Sequence, residues 1–146
     1  ALADLYAEDG LAHLTLGAEE FVVAVQVPPH RLRSSYAKAR VRGAIDFPLA
    51  GVAVALAAEN GQVTTLRVGL TGTNSRPFLL EGTDAFIGRA LDEAALQKLE
   101  RLVQKQVQPM RTTLVSAQYR RLAAAALTRR LAADLFSHFS HSGAAP

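Results

Sequence analysis

The sequence predicts an α+β domain, a three-stranded antiparallel sheet packed against a helical bundle. Three observations carry that expectation. Residues 34–56 (SSYAKARVRGAIDFPLAGVAVAL) alternate, turn and alternate again. Asn60-Gly61 stands between the second alternating run and a third. Such a pair suits a two-residue hairpin, because both central residues need positive φ. From residue 83 onward the apolar spacing changes from two to three and four, the mark of helices.

Taken in order, residues 1–32 read as the tail of a preceding unit. LADLY is the end of a helix or a short turn, broken by Glu8, Asp9 and Gly10. Residues 13–16 are extended, and residues 21–27 (FVVAVQV) read as a strand on their β-branched content. Pro28-Pro29 stops it, since proline cannot donate to a ladder and restricts the residue before it. Residues 28–33 are the linker, 33–140 the main domain and 141–146 a tail. In the first strand Ala37, Ala39 and Val41 face one way, and Tyr36, Lys38, Arg40 and Arg42 the other. In the second, Val52, Val54 and Leu56 oppose Ala53 and Ala55. In the third, residues 62–71, Leu66, Val68 and Leu70 share a side. Residues 72–77 (GTNSRP) are loop. Thr83 or Asp84 caps a short helix ending near Gly88. Asp92 caps a longer one, ended by Pro109, with Ala95, Leu96, Leu99, Leu102 and Val103 on one face. Glu93 suits the positive end of its dipole. Ser116 opens the last helix, which runs to about Phe139. Its leucines (127, 131 and 135) drift around the axis, so it is expected to be covered on more than one side.

The 146 residues suffice for one domain with a real core. An apolar share of 49% against 20% charged excludes a disordered chain. With no Trp, the core must be Leu, Val and Ala. No apolar run approaches the roughly 18 residues that span a bilayer, and no charged-then-apolar leader opens the chain. The chain is therefore read as cytoplasmic. It does not begin with Met, and its one Met is Met110, so it is expected to be a fragment or a processed product. The absence of cysteine excludes disulfides, thiolate metal sites and iron–sulfur ligation within these residues. The net charge is +3, concentrated in residues 31–42 and 111–130. That is two solvated faces, or a modest nucleic-acid footprint.

Few side chains make a chemical constellation. His138 and His141 are three apart on a helix but lack a third ligand in reach by sequence. Asp4, Glu8 and Asp9 make a solvated turn rather than an acid–base pair. Gly69, Gly72 and Asn74 sit in a turn-rich stretch that suits a phosphate less well than a structural loop, and no GxGxxG or GxxxxGK[ST] occurs. Arg120-Arg121 and Arg129-Arg130 line the last helix with only Tyr119 to offer stacking, which favours a packing or solvated face. Tyr36 and Lys38 are different. Two apart on a strand, they project together: a ring able to lie against a planar cofactor, and an ammonium able to meet a carbonyl or phosphate oxygen. Asp46, past the turn, can accept from ring N–H groups or pair with Lys38 or Arg40. Two readings stand side by side, a cofactor wall and an exposed basic strand paired to Asp46.

At this point a resemblance enters. The pattern YxKxRxRxAxDFPLAGVAxAL over residues 36–56 and LRVGLTGTNSRP over 66–77 carry it, with RTT at 111–113 and YRR at 119–121 in support. These segments resemble the C-terminal domain of the FAD-binding subunit of molybdenum hydroxylases, the family of xanthine dehydrogenase and carbon monoxide dehydrogenase. The DFPLAGVA and TGTNSRP wording looks closest to the beta subunit of 4-hydroxybenzoyl-CoA reductase. LADLYAEDGLAHLTL before VAVQVPP resembles the end of the central FAD-binding domain, which assigns residues 1–32 to that domain and a linker.

The resemblance implies a three-stranded sheet packed by helices and a cofactor, FAD, lying between the N-terminal domains and this one. The glycine-rich segments that hold its pyrophosphate, and the cysteine-bearing loop that holds a four-iron cluster in the benzoyl-CoA reductase type, are not in this sequence. Carried over by position, Tyr36 lies near the isoalloxazine ring, Lys38 contacts the flavin and Asp46 is a second polar contact. Arg40 and Arg42 set the local potential or meet a neighbouring subunit. A cation by the ring would raise its potential. The implied partners are the remainder of the FAD subunit and the iron–sulfur and molybdenum subunits of a hetero-oligomer, with molybdenum cofactor and iron–sulfur clusters held there. Neither nucleic acid nor membrane is implied. Electrons would pass through the flavin to those centres and remove an aromatic hydroxyl from a CoA thioester, with no bond-breaking on these residues. The alternatives are the FAD subunit of another molybdenum hydroxylase, and a small basic nucleic-acid-binding or adaptor domain.

Overall fold

The computed structural model describes residues 2–7, 9, 11–30, 32–43, 45–111 and 115–141. Four strands run in the order β1-β2-β3-β4, each antiparallel to the next. They are β1 (Arg33–Ala39), β2 (Ala50–Glu59), β3 (Gln62–Thr71) and β4 (Phe78–Leu79). Two helices follow, α1 (Glu93–Gln106) and α2 (Ala117–His141).

Local sequence explains most of the boundaries. Asn60 and Gly61 have φ of 51° and 73°, the left-handed pair that a two-residue hairpin between twisted strands requires. The Asp92 carboxylate accepts from the Ala95 amide at 2.8 Å and caps α1. The Ser116 hydroxyl accepts from the Tyr119 amide at 3.1 Å at the start of α2. Strand alternation decides the rest. Val52, Val54 and Leu56 of β2 and Val63, Leu66, Val68 and Leu70 of β3 form one buried face.

That face is covered by helix. α2 lies on β1 and β2, and α1 packs beside α2. The helices contribute Leu96, Leu99 and Val103, then Ala124, Ala125, Leu131, Ala132 and Leu135. Covering by the sheet on one side and α1 on the other accounts for the drifting stripe of α2. Its buried Thr128 hydroxyl donates back to the Ala124 carbonyl at 2.8 Å, so the core carries no orphan there. Arg129 bridges α2 to α1 by pairing with Glu93 at 2.7 Å and Glu100 at 3.4 Å.

Four expectations are corrected. The sheet has four strands rather than three: β4 is two residues long, too short for alternation to reveal. It forms because Leu80 is buried and its amide donates to the Val68 carbonyl at 2.8 Å. β1 stops at Ala39, so Val41 is exposed rather than inward. The short helix after residue 82 is a 3₁₀ turn, Thr83–Phe86, entered from left-handed Gly82 with no side-chain cap from Thr83 or Asp84. Residues 21–27 form no strand, and Phe21, Val23 and Val27 are exposed. High β propensity needs a ladder partner, and no described segment supplies one. Upstream, a 3₁₀ turn (Leu2–Leu5) and a lone bridge between Tyr6 and Leu14 are the local structure.

Candidate functional site

The opposite face of the sheet is built differently. Tyr36 and Lys38 point outward from β1, opposite Ala53 and Gly51 of β2. Behind them, Ala53 faces Gly69 and Gly51 faces Thr71. The floor is therefore glycine and alanine where an ordinary strand would carry side chains. The result is a mainly apolar cavity of about 400 Å³. Tyr36 stands at one side, Phe78 and Leu79 at the other, and Leu2, Ala3 and Tyr6 along its margin.

Gly51 is what makes room. A Cβ there would stand 2.6 Å from Thr71 Cγ2 and 3.1 Å from the Tyr36 hydroxyl, so the Tyr36 ring lies across a position that holds no side chain. Tyr36 remains 57% exposed. Lys38, directly opposite Gly51, is also exposed.

Residues 40–49 join β1 to β2 at this end of the sheet. The Leu49 amide donates to the Ala39 carbonyl at 2.8 Å and closes the base of the loop. Within it, one Asp46 carboxylate oxygen accepts from the Val41 and Arg42 amides at 3.1 and 2.9 Å. Those N–H groups are thereby turned into the loop just past the end of β1 at Ala39. The Arg42 amide bond holds the Asp46 carboxyl below its ordinary value. Desolvation opposes it, and the Arg42 guanidinium, 3.6 Å away, and the Val41 amide add to it. Asp46 is only 14% exposed. Its carboxylate pairs with neither Lys38 nor Arg40, as the sequence allowed, and Lys38 meets its backbone carbonyl at 3.4 Å instead. The loop leaves Ile45 and Phe47 at its tip, 99% and 91% exposed.

Thus Tyr36 and Lys38 share one surface, while Asp46 is turned into its own loop. Other candidates fall away. The Asn74 amide is engaged structurally, donating to the Gln106 carbonyl at 3.2 Å and accepting from the Gln108 amide at 3.1 Å. Gly69 belongs to β3 rather than to the loop after it. Glu8, Thr112 and Thr113 and the side chain of His141 lie outside the described residues. Among the described residues no three His, Asp or Glu converge, and no helix is long and apolar enough to cross a membrane.

Arg120 takes the packing role that the sequence favoured, but with partners the sequence could not name. Arg120 donates through Nε to the Leu49 carbonyl at 2.9 Å, through Nη1 to the Met110 carbonyl at 2.8 Å, and through Nη2 to the Gly72 carbonyl. Helical spacing does not distinguish it from Arg121, and its partners are 71, 10 and 48 residues away. The YRR triplet was the only signal.

The CO dehydrogenase flavoprotein C-terminal domain profile matches residues 34–135. The chain belongs to this family. The medium chain of carbon monoxide dehydrogenase from Afipia carboxidovorans is 29% identical over 113 residues, which cover 76% of this chain. The match covers 39% of that relative's length. Among solved structures, reconstituted CO dehydrogenase from Oligotropha carboxidovorans matches at a TM-score of 0.70 and 27% identity, over 77% of this chain and 40% of that one. Quinoline 2-oxidoreductase from Pseudomonas putida 86 matches at 0.71 with 20% identity, over the same shares, a likeness of fold alone. The α+β fold expected from the sequence is thus the family's fold, and the family is one of flavoprotein domains.

Proposed function

We propose that residues 33–140 form one wall of an FAD site in the electron-transfer subunit of a molybdenum-containing oxidoreductase, with residues 1–32 the end of the preceding FAD-binding unit and a linker. One observation carries this reading: Tyr36 and Lys38 project together beside a floor of glycine and alanine at Gly51, Ala53 and Gly69. Such a surface fits a planar ring with a polar rim. The sequence has no glycine-rich loop for a pyrophosphate, so the chain closes a pocket rather than forming a whole one.

When bound, FAD would supply electron transfer between a donor or acceptor and the metal centres of the partner subunits. The residues of this chain do three things around it. The Tyr36 ring covers apolar surface and keeps water from it. The Lys38 ammonium places positive charge at the margin; it donates to the Asp46 carbonyl, while the Asp46 carboxylate pairs with Arg42. Asp46 orders the loop beside them, through backbone amides, instead of contacting the flavin itself.

The proposed partners are the remainder of the FAD subunit and the iron–sulfur and molybdenum subunits, in the cytoplasm. The finer proposal, a 4-hydroxybenzoyl-CoA reductase type of parent, is supported by the DFPLAGVA and TGTNSRP wording. The named relatives are a carbon monoxide dehydrogenase and a quinoline oxidoreductase, and assay of the whole complex with an aromatic CoA thioester decides between these types. The nucleic-acid alternative loses support because Arg120 and Arg129 of the arginine stripe are spent on contacts inside the domain.

The test is FAD retention by the full subunit after gel filtration. Lys38→Ala is expected to lower flavin content with the subunit still folded. Full flavin content, with an unaltered flavin absorbance spectrum, contradicts the reading.

A further inference from the structure

We infer that Arg120 is a positioning residue for this flavin wall, holding the loop of residues 40–49 at the correct distance from the sheet's outer face. Its consequence rests on the flavin reading, its geometry on the contacts of Arg120 alone. One guanidinium gathers three main-chain carbonyls from three connections: Leu49 between β1 and β2, Gly72 between β3 and β4, and Met110 between α1 and α2. A guanidinium offers five donors in a rigid planar fork, so it can fix several carbonyls in one plane where an ammonium cannot.

The three carbonyls lie where the site is assembled. Leu49 is the base of the loop, its amide already tied to Ala39 at the end of β1. Lys38 is the residue before Ala39. Gly72 follows Thr71, which faces Gly51, which faces Lys38. The approach is close: Gly72 has φ of 75°, and a Cβ there would stand 2.8 Å from the Pro48 carbonyl oxygen. Only glycine meets both demands. The ends of β1, β2 and β3 are therefore drawn together around Arg120, at the end of the sheet that carries Lys38 and Asp46.

Two further facts give the tie its importance. A cavity of about 480 Å³, lined by Arg40, Val41 and Leu49 on the loop side and by Val115, Ser116 and Tyr119 at the start of α2, gives the loop room to relax if released. And the hydrogen-bond partners of Arg120 in the described residues are all carbonyls and none a carboxylate, so the residue adds a positive charge beside the loop as well as a tether.

The experiment uses the full subunit with FAD bound. Arg120→Ala removes all three bonds from a half-buried position and threatens the fold. Arg120→Lys, which keeps the charge and loses the fork, is the working variant, with exposed Arg130→Lys as control. Two quantities are read: hydrogen exchange of the Val41, Arg42 and Leu49 amides against the Val54 and Val68 amides of the core, and the rate of FAD loss. In Arg120→Lys the loop amides are expected to exchange about tenfold faster, the scale of one lost hydrogen bond, with the core amides unchanged. FAD is expected to leave faster by a similar factor, and Arg130→Lys to change neither. Unchanged loop exchange overturns the inference whatever the flavin does. A loosened loop with an unchanged rate of FAD loss overturns it as well, by reducing Arg120 to a structural tie. Failure of the flavin reading shows separately, as Lys38→Ala leaving FAD loss unaltered.

Discussion

The two faces of one sheet are built from the same three long strands and follow opposite rules. Toward the helices, β2 and β3 present Val52, Val54, Leu56, Val63, Leu66, Val68 and Leu70, all buried. Toward the outside, the same strands present Gly51, Ala53 and Gly69, with Tyr36 and Lys38 standing beside them from β1. Large side chains on one face bury apolar area and hold the fold together. Small ones on the other leave a shallow surface, partly covered by the Tyr36 ring and bordered by an open cavity. On the proposed reading, the pleat thus separates the residues that hold the fold from those that face the flavin.

The largest effect that would test this separation is on the inner layer. Leu99 is fully buried between the helices and the core cluster. Leu99→Ala is expected to cost about 2–5 kcal/mol of unfolding free energy, read by denaturant titration. A cost near that of a surface change would mean the helical layer is not the support it is taken to be.

Next comes the outer-face position that behaves as packed. Gly51→Ala is expected to cost about 1–3 kcal/mol, because the new methyl meets Thr71 and displaces the Tyr36 ring. If Gly51→Ala is neutral in the same titration, the Tyr36 ring is not held where the geometry puts it. Smaller still, Tyr36→Ala and Lys38→Ala are each expected to change stability by no more than about 0.5 kcal/mol, the usual range for surface positions. A large loss would move these residues from function to support.

The smallest effect is one of pH. The Asp46 carboxyl is held below its ordinary value by the Arg42 amide, so the unfolded chain takes up that proton first as the pH falls. Its contribution to the loop is present above the ordinary carboxyl value of about 3.9 and is lost as pH falls through the lower folded value. The Val41 and Arg42 amide resonances are expected to titrate with an inflection below about 3.9, and Asp46→Asn to abolish it. An inflection above that value contradicts the hydrogen-bonded loop.

These contrasts also show what the sequence could and could not reveal. Asn60-Gly61, Asp92 and Ser116 were legible because each acts on a neighbour within three residues. The outward pairing of Tyr36 and Lys38 was legible because alternation is a property of the strand itself. Val41 departs from the alternating pattern because its amide and that of Arg42 donate to the carboxylate of Asp46, five and four residues on, beyond the end of β1. β4 was hidden because its reason is Val68, ten or so residues away along the chain. The packing role of Arg120 was among the readings the sequence favoured, but its partners were not legible: carbonyls carry no residue-type signal, and the nearest is ten residues off. The floor of glycine and alanine needed register as well as composition. Gly51, Ala53 and Gly69 become one surface only when β2 and β3 are paired.

The most direct measurement is the midpoint potential of the bound flavin in the full subunit, compared between the wild-type protein and Lys38→Met. Removing a positive charge beside the ring is expected to lower the potential by tens of millivolts, about 30 mV for each 1.4 kcal/mol of lost two-electron stabilisation. A potential unchanged by Lys38→Met, with FAD fully bound, would contradict the claim that this face of the sheet is a wall of the flavin site.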